Sequence, residues 1–417
     1  MKTRMISDLY RRKSNAFWSL LDQGLVSASS FIINILLAKY LGLKEFSTFA
    51  IIQSYVLYFA LIQNCFVSTP MLTDIPSAID NTQKRNLTLG YLSYGHVLAI
   101  ISATGLLVIA VIFEQVFENL ALGFAALPAA AYAGCLQMQD CVRKAFYAEQ
   151  RRAESFVINF IYLAPTVAAI YFLEISNALS INNFLYASMS CAVLSCMTGM
   201  RIYGAKVRVS GLQEVAKMSI KKGRHFFVAS QFQWIASSGL VLFAASYLGP
   251  TAAGAFRAIN NLLGPVNVAF QWLDNFLPVA GAKKYVAEGP ISLDRYLRKS
   301  LLWGSLFIII LIIPLAIYSK NIVVIFFGQD FERYAHLIQI FCIYYWLGYI
   351  YRIKSYQLRI LQREKILTIG SFCWSVFSVA PAIFLIPVLS DSGLVISMVI
   401  GEATALAYIF WRANKND

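Results

Sequence analysis

The sequence predicts an all-α, polytopic membrane protein with twelve transmembrane helices arranged as two parallel six-helix bundles. Three observations carry that expectation. Of the 417 residues, 59% are hydrophobic and 13% are charged, against about 25% charged in a soluble domain. The mean hydropathy is +0.62, and apolar runs near the ~20 residues that cross a hydrocarbon core recur from end to end. A short turn sequence is also used twice, about half a chain apart. A membrane barrel would show short alternating segments instead. No polar stretch is long enough to bury the core of a soluble catalytic domain.

The chain opens with Lys2, Arg4, Arg11, Arg12 and Lys13, followed by an apolar stretch over 16–38. That stretch is too long for a signal-peptide core and lacks an obvious small-residue cleavage site. It is expected to be a retained first span behind a basic tail, residues 1–15. The remaining spans are expected near 46–69, 89–113, 119–142, 154–173 and 179–202. These close an N-terminal bundle over 16–202. A basic, helix-capable linker, 203–223, leads to a second bundle over 224–412. Its spans are expected near 224–247, 251–281, 299–318, 334–352, 366–387 and 392–411, with a tail at 413–417. Gly42, Gly249-Pro250 and Asp391-Ser392-Gly393 punctuate the spans as turn residues do.

Orientation follows from the placement of cations, since cytoplasmic loops carry the excess of Lys and Arg. With the N-terminus inside, 30 of the 35 Lys and Arg residues fall on the cytoplasmic side, counting residues 352–365 as one of the inner segments. Both termini are then cytoplasmic. The +14 net charge is accounted for by topology and attraction to anionic lipid heads, so nucleic-acid binding is not invoked. The seven cysteines have no zinc-ligand spacing and read as small apolar packing residues; no metal site is expected.

The repeated turn reads AKYLGLKEFSTFA at 38–50 and ASYLGPTAAGAFR at 245–257. In register, Ala38, Tyr40, Leu41, Gly42 and Phe49 answer Ala245, Tyr247, Leu248, Gly249 and Phe256. Polar positions follow: Gln53 with Asn260, Ser54 with Asn261, Asn64 with Gln271. Gln150-Arg151 and Gln362-Arg363 match again after the fourth span of each half. Six crossings return the chain to the same side, so the halves are parallel repeats, an architecture of transporters with sites near the midplane.

Polar groups inside spans cost free energy unless they are paired or face water, so their angular positions locate candidate sites. On the eighth span, Arg257, Asn260, Asn261, Asn267, Gln271, Asp274 and Asn275 fall within about 140° at 100° per residue. Gly264-Pro265 suggests a kink there. On the first span Gln23, Ser27, Ser30 and Asn34 form a narrow stripe beside Asp22. These stripes read either as cavity lining or as hydrogen-bonding glue between helices. Arg257 lies roughly 9 Å inside its span, where a guanidinium costs about 2.5–3.5 kcal/mol. It either snorkels outward or presents a fork of donors suited to phosphate oxygens. Asp274 has the opposite charge but sits some 25 Å along the same helix. Asp22, Asp274 and Glu402 are in-span acids able to carry a coupling proton or Na+; Asp140 more simply pairs with Arg143 and Lys144. His96 reads as a packed side chain rather than a switch.

The block FWSLLDQGLVSASSFIINILLAKYLGLKEFSTFAIIQSY resembles the start of bacterial polysaccharide translocases. These are the O-antigen and exopolysaccharide lipid flippases of the multidrug/oligosaccharidyl-lipid/polysaccharide exporter superfamily. The likeness rests on a polar-spotted first span, then Ala38-Lys39-Tyr40-Leu41-Gly42, then Glu45-Phe46 opening the second. It implies a V-shaped, MATE-like pair of bundles working by alternating access in the bacterial inner membrane. It also implies a cationic cavity for the pyrophosphate-sugar head of a polyprenyl-linked oligosaccharide. The best matches to such a cavity are Arg257, Asn260, Asn261, Gln271, Asp274, Gln23, Asn34 and Gln53, with Lys39 at the outer mouth. The resemblance further implies a transporter rather than an enzyme, with no cofactor beyond a coupling ion. Its partners would be membrane lipids, the lipid-linked substrate, and polysaccharide polymerase and chain-length proteins. Pro250-Thr251-Ala252 departs from the Lys-Glu start seen in the first half. The alternatives are a drug or metabolite exporter of the same fold, or a membrane polymerase or glycosyltransferase. A major-facilitator transporter fits less well, because the loop at 73–86 lacks that group's Gly-rich Asp-Arg signature.

Overall fold

Long apolar helices, some of them kinked or separated at a single glycine, dominate the computed structural model, which describes residues 2–116, 123–204 and 212–414. No strand occurs among the described residues. The helices are α1 (Lys2–Gln63), α2 (Thr69–Asp74), α3 (Asn81–Val116), α4 (Gly123–Ala148), α5 (Arg152–Ile175) and α6 (Ile181–Tyr203). After them come α7 (Leu212–Trp234), α8 (Leu240–Leu248), α9 (Pro250–Leu262), α10 (Gly264–Ile317) and α11 (Ser319–Phe327). The chain ends with α12 (Leu337–Ile360), α13 (Glu364–Leu389) and α14 (Asp391–Asn414). Among the described residues, seven segments are long and apolar enough to cross a membrane: Phe17–Asp74, Asn81–Ile112, Arg152–Ile175, Phe226–Leu248, Ala280–Ile317, Lys365–Leu389 and Asp391–Arg412. The expected start of the fourth span and the middle of the expected linker lie outside the described residues, as does the tail beyond 414.

The duplicated turn is duplicated in backbone conformation. Gly42 (φ 71°, ψ 176°) breaks α1, and Gly249 (φ 92°, ψ 166°) separates α8 from α9. A side chain is disfavoured in that region, so both copies keep glycine. The second match behaves likewise. Gln150 and Gln362 are both left-handed, at φ 62° and 56°. Each is followed by an arginine whose N–H reaches five residues back, Arg151 to the Phe146 carbonyl at 2.9 Å and Arg363 to Leu358 at 2.8 Å. This is the Schellman closure of a helix C-terminus.

Two expectations need correction. The eighth span is not one helix: it breaks at Leu263, between α9 and α10. Pro265 supplies no N–H to continue the ladder. Residues 352–365, expected as an inner segment beyond the span, are helical as far as Ile360, because α12 runs on through them. Arg352 therefore belongs to a helix, and the hydropathy pattern that ended the span at 352 was cut short by the cations themselves.

The chain forms two compact units. The first comprises residues 1–41 and 52–228. Its inner core holds Val67, Met71, Tyr91, Leu92, Phe146 and Ile158, with Val215 of α7 packed among them. The second comprises residues 42–51 and 229–417. Within it the short helix after Gly42 lies close against α9: a Cβ placed on Gly254 would sit 2.8 Å from the Ser47 Cα. Ser47 and Gly254 are themselves equivalent positions of the repeat.

Candidate functional site

The first unit holds a buried charge network. Asp22, with no solvent access, accepts from Arg143 Nη1 at 3.0 Å and from Asn159 Nδ2 at 2.9 Å. Arg143 also bonds Asp140 at 2.7 Å. Lys144 reaches Asp140 at 2.7 Å and the Asn64 amide oxygen at 2.7 Å. Helices α1, α4 and α5 are thus tied by two acids and two cations whose formal charges cancel. Asn64 opens a π-helical stretch, Asn64–Ser68, an irregularity often found at functional sites.

The first-span stripe does not act as one surface. Gln23 and Ser30 are exposed, while Asn34 is buried and its Nδ2 caps the Ser30 carbonyl at 2.7 Å. Gln53 keeps a buried Oε1 without a hydrogen-bond partner among the described residues. Lys39 is exposed. His96 is held by the Leu92 carbonyl at 2.6 Å and lies 3.7 Å from the Cys196 sulfur, which accounts for it as a packed group.

The second unit carries a longer polar row. Arg257, half-buried, stacks its guanidinium 5.8 Å from the Phe49 ring centroid, a placement that offsets part of its desolvation. One turn on, Asn260 accepts from Tyr345 Oη at 3.0 Å. That same hydroxyl accepts from Asn267 Nδ2 at 2.9 Å. Asn261 is half-buried beside Asn260. Further along α10, Asp274 accepts from Arg352 Nη1 at 2.9 and 3.2 Å and from the Tyr356 hydroxyl. Arg352 lies over the Phe270 ring at 4.8 Å, and Phe270 stacks on Tyr345 and Tyr349. Glu402 of α14 is buried, 7% exposed, and would sit 3.8 Å from a Cβ on Gly348. The side chains of Gln271 and Asn275 lie outside the described residues.

Of the residues expected at a site, Arg257, Asn260, Asn261, Asp274 and Glu402 fall in the second unit, and Asp22, Gln23, Asn34, Lys39 and Gln53 in the first. Asp274 answers Arg352 instead of the distant Arg257. Arg352, Tyr345 and Tyr356 were not anticipated, although Tyr345, Tyr349, Arg352 and Tyr356 repeat at i, i+4, i+7 and i+11. The same spacing had marked the first-span stripe. Arg143 and Asn159 were missed as partners of Asp22, because nothing local links residues more than 120 positions apart.

No family model matches the chain, and no curated protein matches it. Among solved structures, a multidrug resistance MATE family transporter of the MOP superfamily in an inward-facing conformation superposes with a TM-score of 0.72. It is 13% identical, with 93% of each chain covered. The lipid II flippase MurJ, in an inward closed conformation, gives 0.69 at 12% identity, covering 96% of this chain and 87% of that one. A MOP superfamily transporter from Pyrococcus furiosus, described as having a binding pocket of reversed polarity, gives 0.58 at 12% identity, with 97% and 92% covered. The chain has the fold of the MOP-superfamily transporters. That all-helical fold extends over almost the whole chain.

Proposed function

We propose that this chain is a flippase, not an enzyme. It would move an oligosaccharide carried on polyprenyl pyrophosphate, an O-antigen, capsule or exopolysaccharide unit, from the inner to the outer leaflet of a bacterial plasma membrane by alternating access. The observation that carries this reading is Arg257. It is a half-buried guanidinium 5.8 Å from the centroid of the Phe49 ring, one turn before Asn260, whose amide shares the Tyr345 hydroxyl with that of Asn267. Arginine offers a planar fork of donors to phosphate oxygens, and amide and hydroxyl groups suit sugar hydroxyls. A lipid II flippase shares the fold, so the architecture accommodates lipid cargo. The expected partners are membrane lipids, a polysaccharide polymerase and chain-length proteins. Coupling falls to a proton or Na+ at Asp22, Asp274 or Glu402.

The test is Arg257→Ala in proteoliposomes loaded with a polyprenyl-pyrophosphate glycan. Flipping should fall to background while the protein still inserts, and Arg257→Lys should recover part of it. Normal flipping by the Ala variant would remove the reading. A second reading, a cation-coupled drug or metabolite exporter, draws on the buried Glu402 and the multidrug transporters of the same fold. It predicts that transport of a lipophilic cation depends on Glu402 and is indifferent to Arg257.

A further inference from the structure

A second cation lies on the same polar row. Arg352 and Asp274 form an ion pair between α12 and α10, with side chains 40% and 38% exposed. Arg352 is eight residues from the end of α12, about 12 Å at 1.5 Å per residue. Pairing alone explains the placement poorly. An ion pair this open adds little stability, and a lipid-facing arginine extends toward the headgroups. This guanidinium sits over the Phe270 ring instead, 4.8 Å from its centroid; the ring is only 4% exposed and is near-parallel to the rings of Tyr345 and Tyr349. Its orientation is therefore fixed by packing, and its outer part is open.

The pairing geometry is also incomplete. Both bonds to Asp274 run through one nitrogen, Nη1, so the carboxylate does not match the guanidinium fork edge to edge as a bidentate partner does. The Tyr356 hydroxyl donates to the same carboxylate. Asp274 thus holds one cationic and one neutral donor that an anion with more oxygens would use fully. Between this pair and Arg257 in the same unit lie Phe270, which Arg352 covers and which stacks on Tyr345, and the hydrogen-bonded Asn267, Tyr345 and Asn260.

We propose that Arg352 and Tyr356 form a second phosphate position on the translocation path, and that Asp274 occupies it while no substrate is bound. The proposal rests on the lipid-pyrophosphate reading above and adds a residue, a place and an exchange to it. The incoming pyrophosphate takes the Nη1 and Tyr356 donors, and Asp274 is released from the pair. Asp274 then acts as a competitor that lowers affinity and keeps an unliganded guanidinium from being left without a counter-charge. Arg257 is the other cation of the row, reached by the same head group as it moves along the unit.

The experiment uses the purified full-length chain in detergent, titrated with farnesyl pyrophosphate and, as the uncharged control, farnesol. Wild type should bind the pyrophosphate in preference to the alcohol. Arg352→Gln should weaken that binding by about tenfold or more, the usual worth of a charge-assisted bond, and Arg352→Lys should restore part of it. Asp274→Asn should tighten binding several-fold, and the gain should vanish in the Asp274→Asn/Arg352→Gln double variant. If Arg352→Gln binds as wild type while Arg257→Ala is weakened, the second position is wrong and the flippase reading stands. If wild type does not distinguish farnesyl pyrophosphate from farnesol, both fall. Should Asp274→Asn fail to fold, the comparison of Arg352→Gln with Arg352→Lys decides alone.

Discussion

Asp22 is the most enclosed acid of the first unit, and its partners decide what a substitution does. Removing Arg143 leaves a buried carboxylate with Asn159 as its remaining partner among the described bonds. Breaking a buried pair that way costs about 3–5 kcal/mol, so Arg143→Met should lower the melting temperature strongly. Removing the acid is milder, because Arg143 keeps Asp140 at 2.7 Å and an asparagine at 22 still accepts a hydrogen bond. Asp22→Asn should cost about 1–3 kcal/mol and leave a folded protein. That difference makes the residue testable in function. With Asp22 as the proton carrier, flipping by Asp22→Asn in liposomes becomes independent of pH. A pH profile identical to wild type would assign the residue to packing alone. The sequence made Asp22 visible as an acid in an apolar run, but its partners sit on helices too distant for any local pattern to show.

At the scale of elements, the repeat is the part of the fold most legible in sequence, because it is written in turn chemistry. Gly42 and Gly249 adopt nearly the same positive-φ extended conformation. At Gly249 an added Cβ meets nothing within 4 Å, and at Gly42 only an Asp330 oxygen at 3.9 Å. Alanine there meets no steric obstacle, so its cost is that of the backbone region, about 1–3 kcal/mol. Gly42→Ala and Gly249→Ala should therefore destabilise by similar amounts in thermal unfolding. The glutamines at 150 and 362 invite the opposite change. Both pay for a left-handed conformation that glycine adopts freely, so Gln150→Gly and Gln362→Gly should each gain on the order of 1 kcal/mol. Periodicity was less informative where helices carry cations. The break at Leu263 was signalled by Gly264-Pro265, but the extension of α12 to Ile360 was masked by Arg352, Lys354 and Arg359.

For the whole molecule, the decisive segment is the basic stretch after the sixth span, which the sequence presents as a connection. From Leu212 it is helix, and up to Val228 it belongs to the first unit. Val215 enters that unit's core and sits over Gly90, where an added Cβ would be 3.6 Å from its Cβ. Lys222 pairs with Asp74, whose other oxygen accepts from the buried Tyr91 hydroxyl at 2.6 Å. Gly223 lies so close to the Cys65 backbone that a Cβ would be 3.0 Å from its carbonyl carbon and 2.8 Å from the Phe66 ring. A charge run is a poor guide to such docking, since the contacts join residues about 150 positions apart and depend on one missing side chain. The arrangement makes Cys65, 4% exposed, a reporter of whether α7 is seated. In a chain whose other cysteines are replaced, Gly223→Val should force α7 away and raise the rate of Cys65 labelling by a maleimide on the order of tenfold. That corresponds to about 1.4 kcal/mol of lost local stability. Lys222→Ala should act in the same direction by freeing Asp74, whereas Ile220→Ala, at a position already 52% exposed, should leave the rate unchanged. Labelling of Gly223→Val at the wild-type rate would mean that this contact does not hold the helix, and that the basic stretch moves independently of the unit it is packed on.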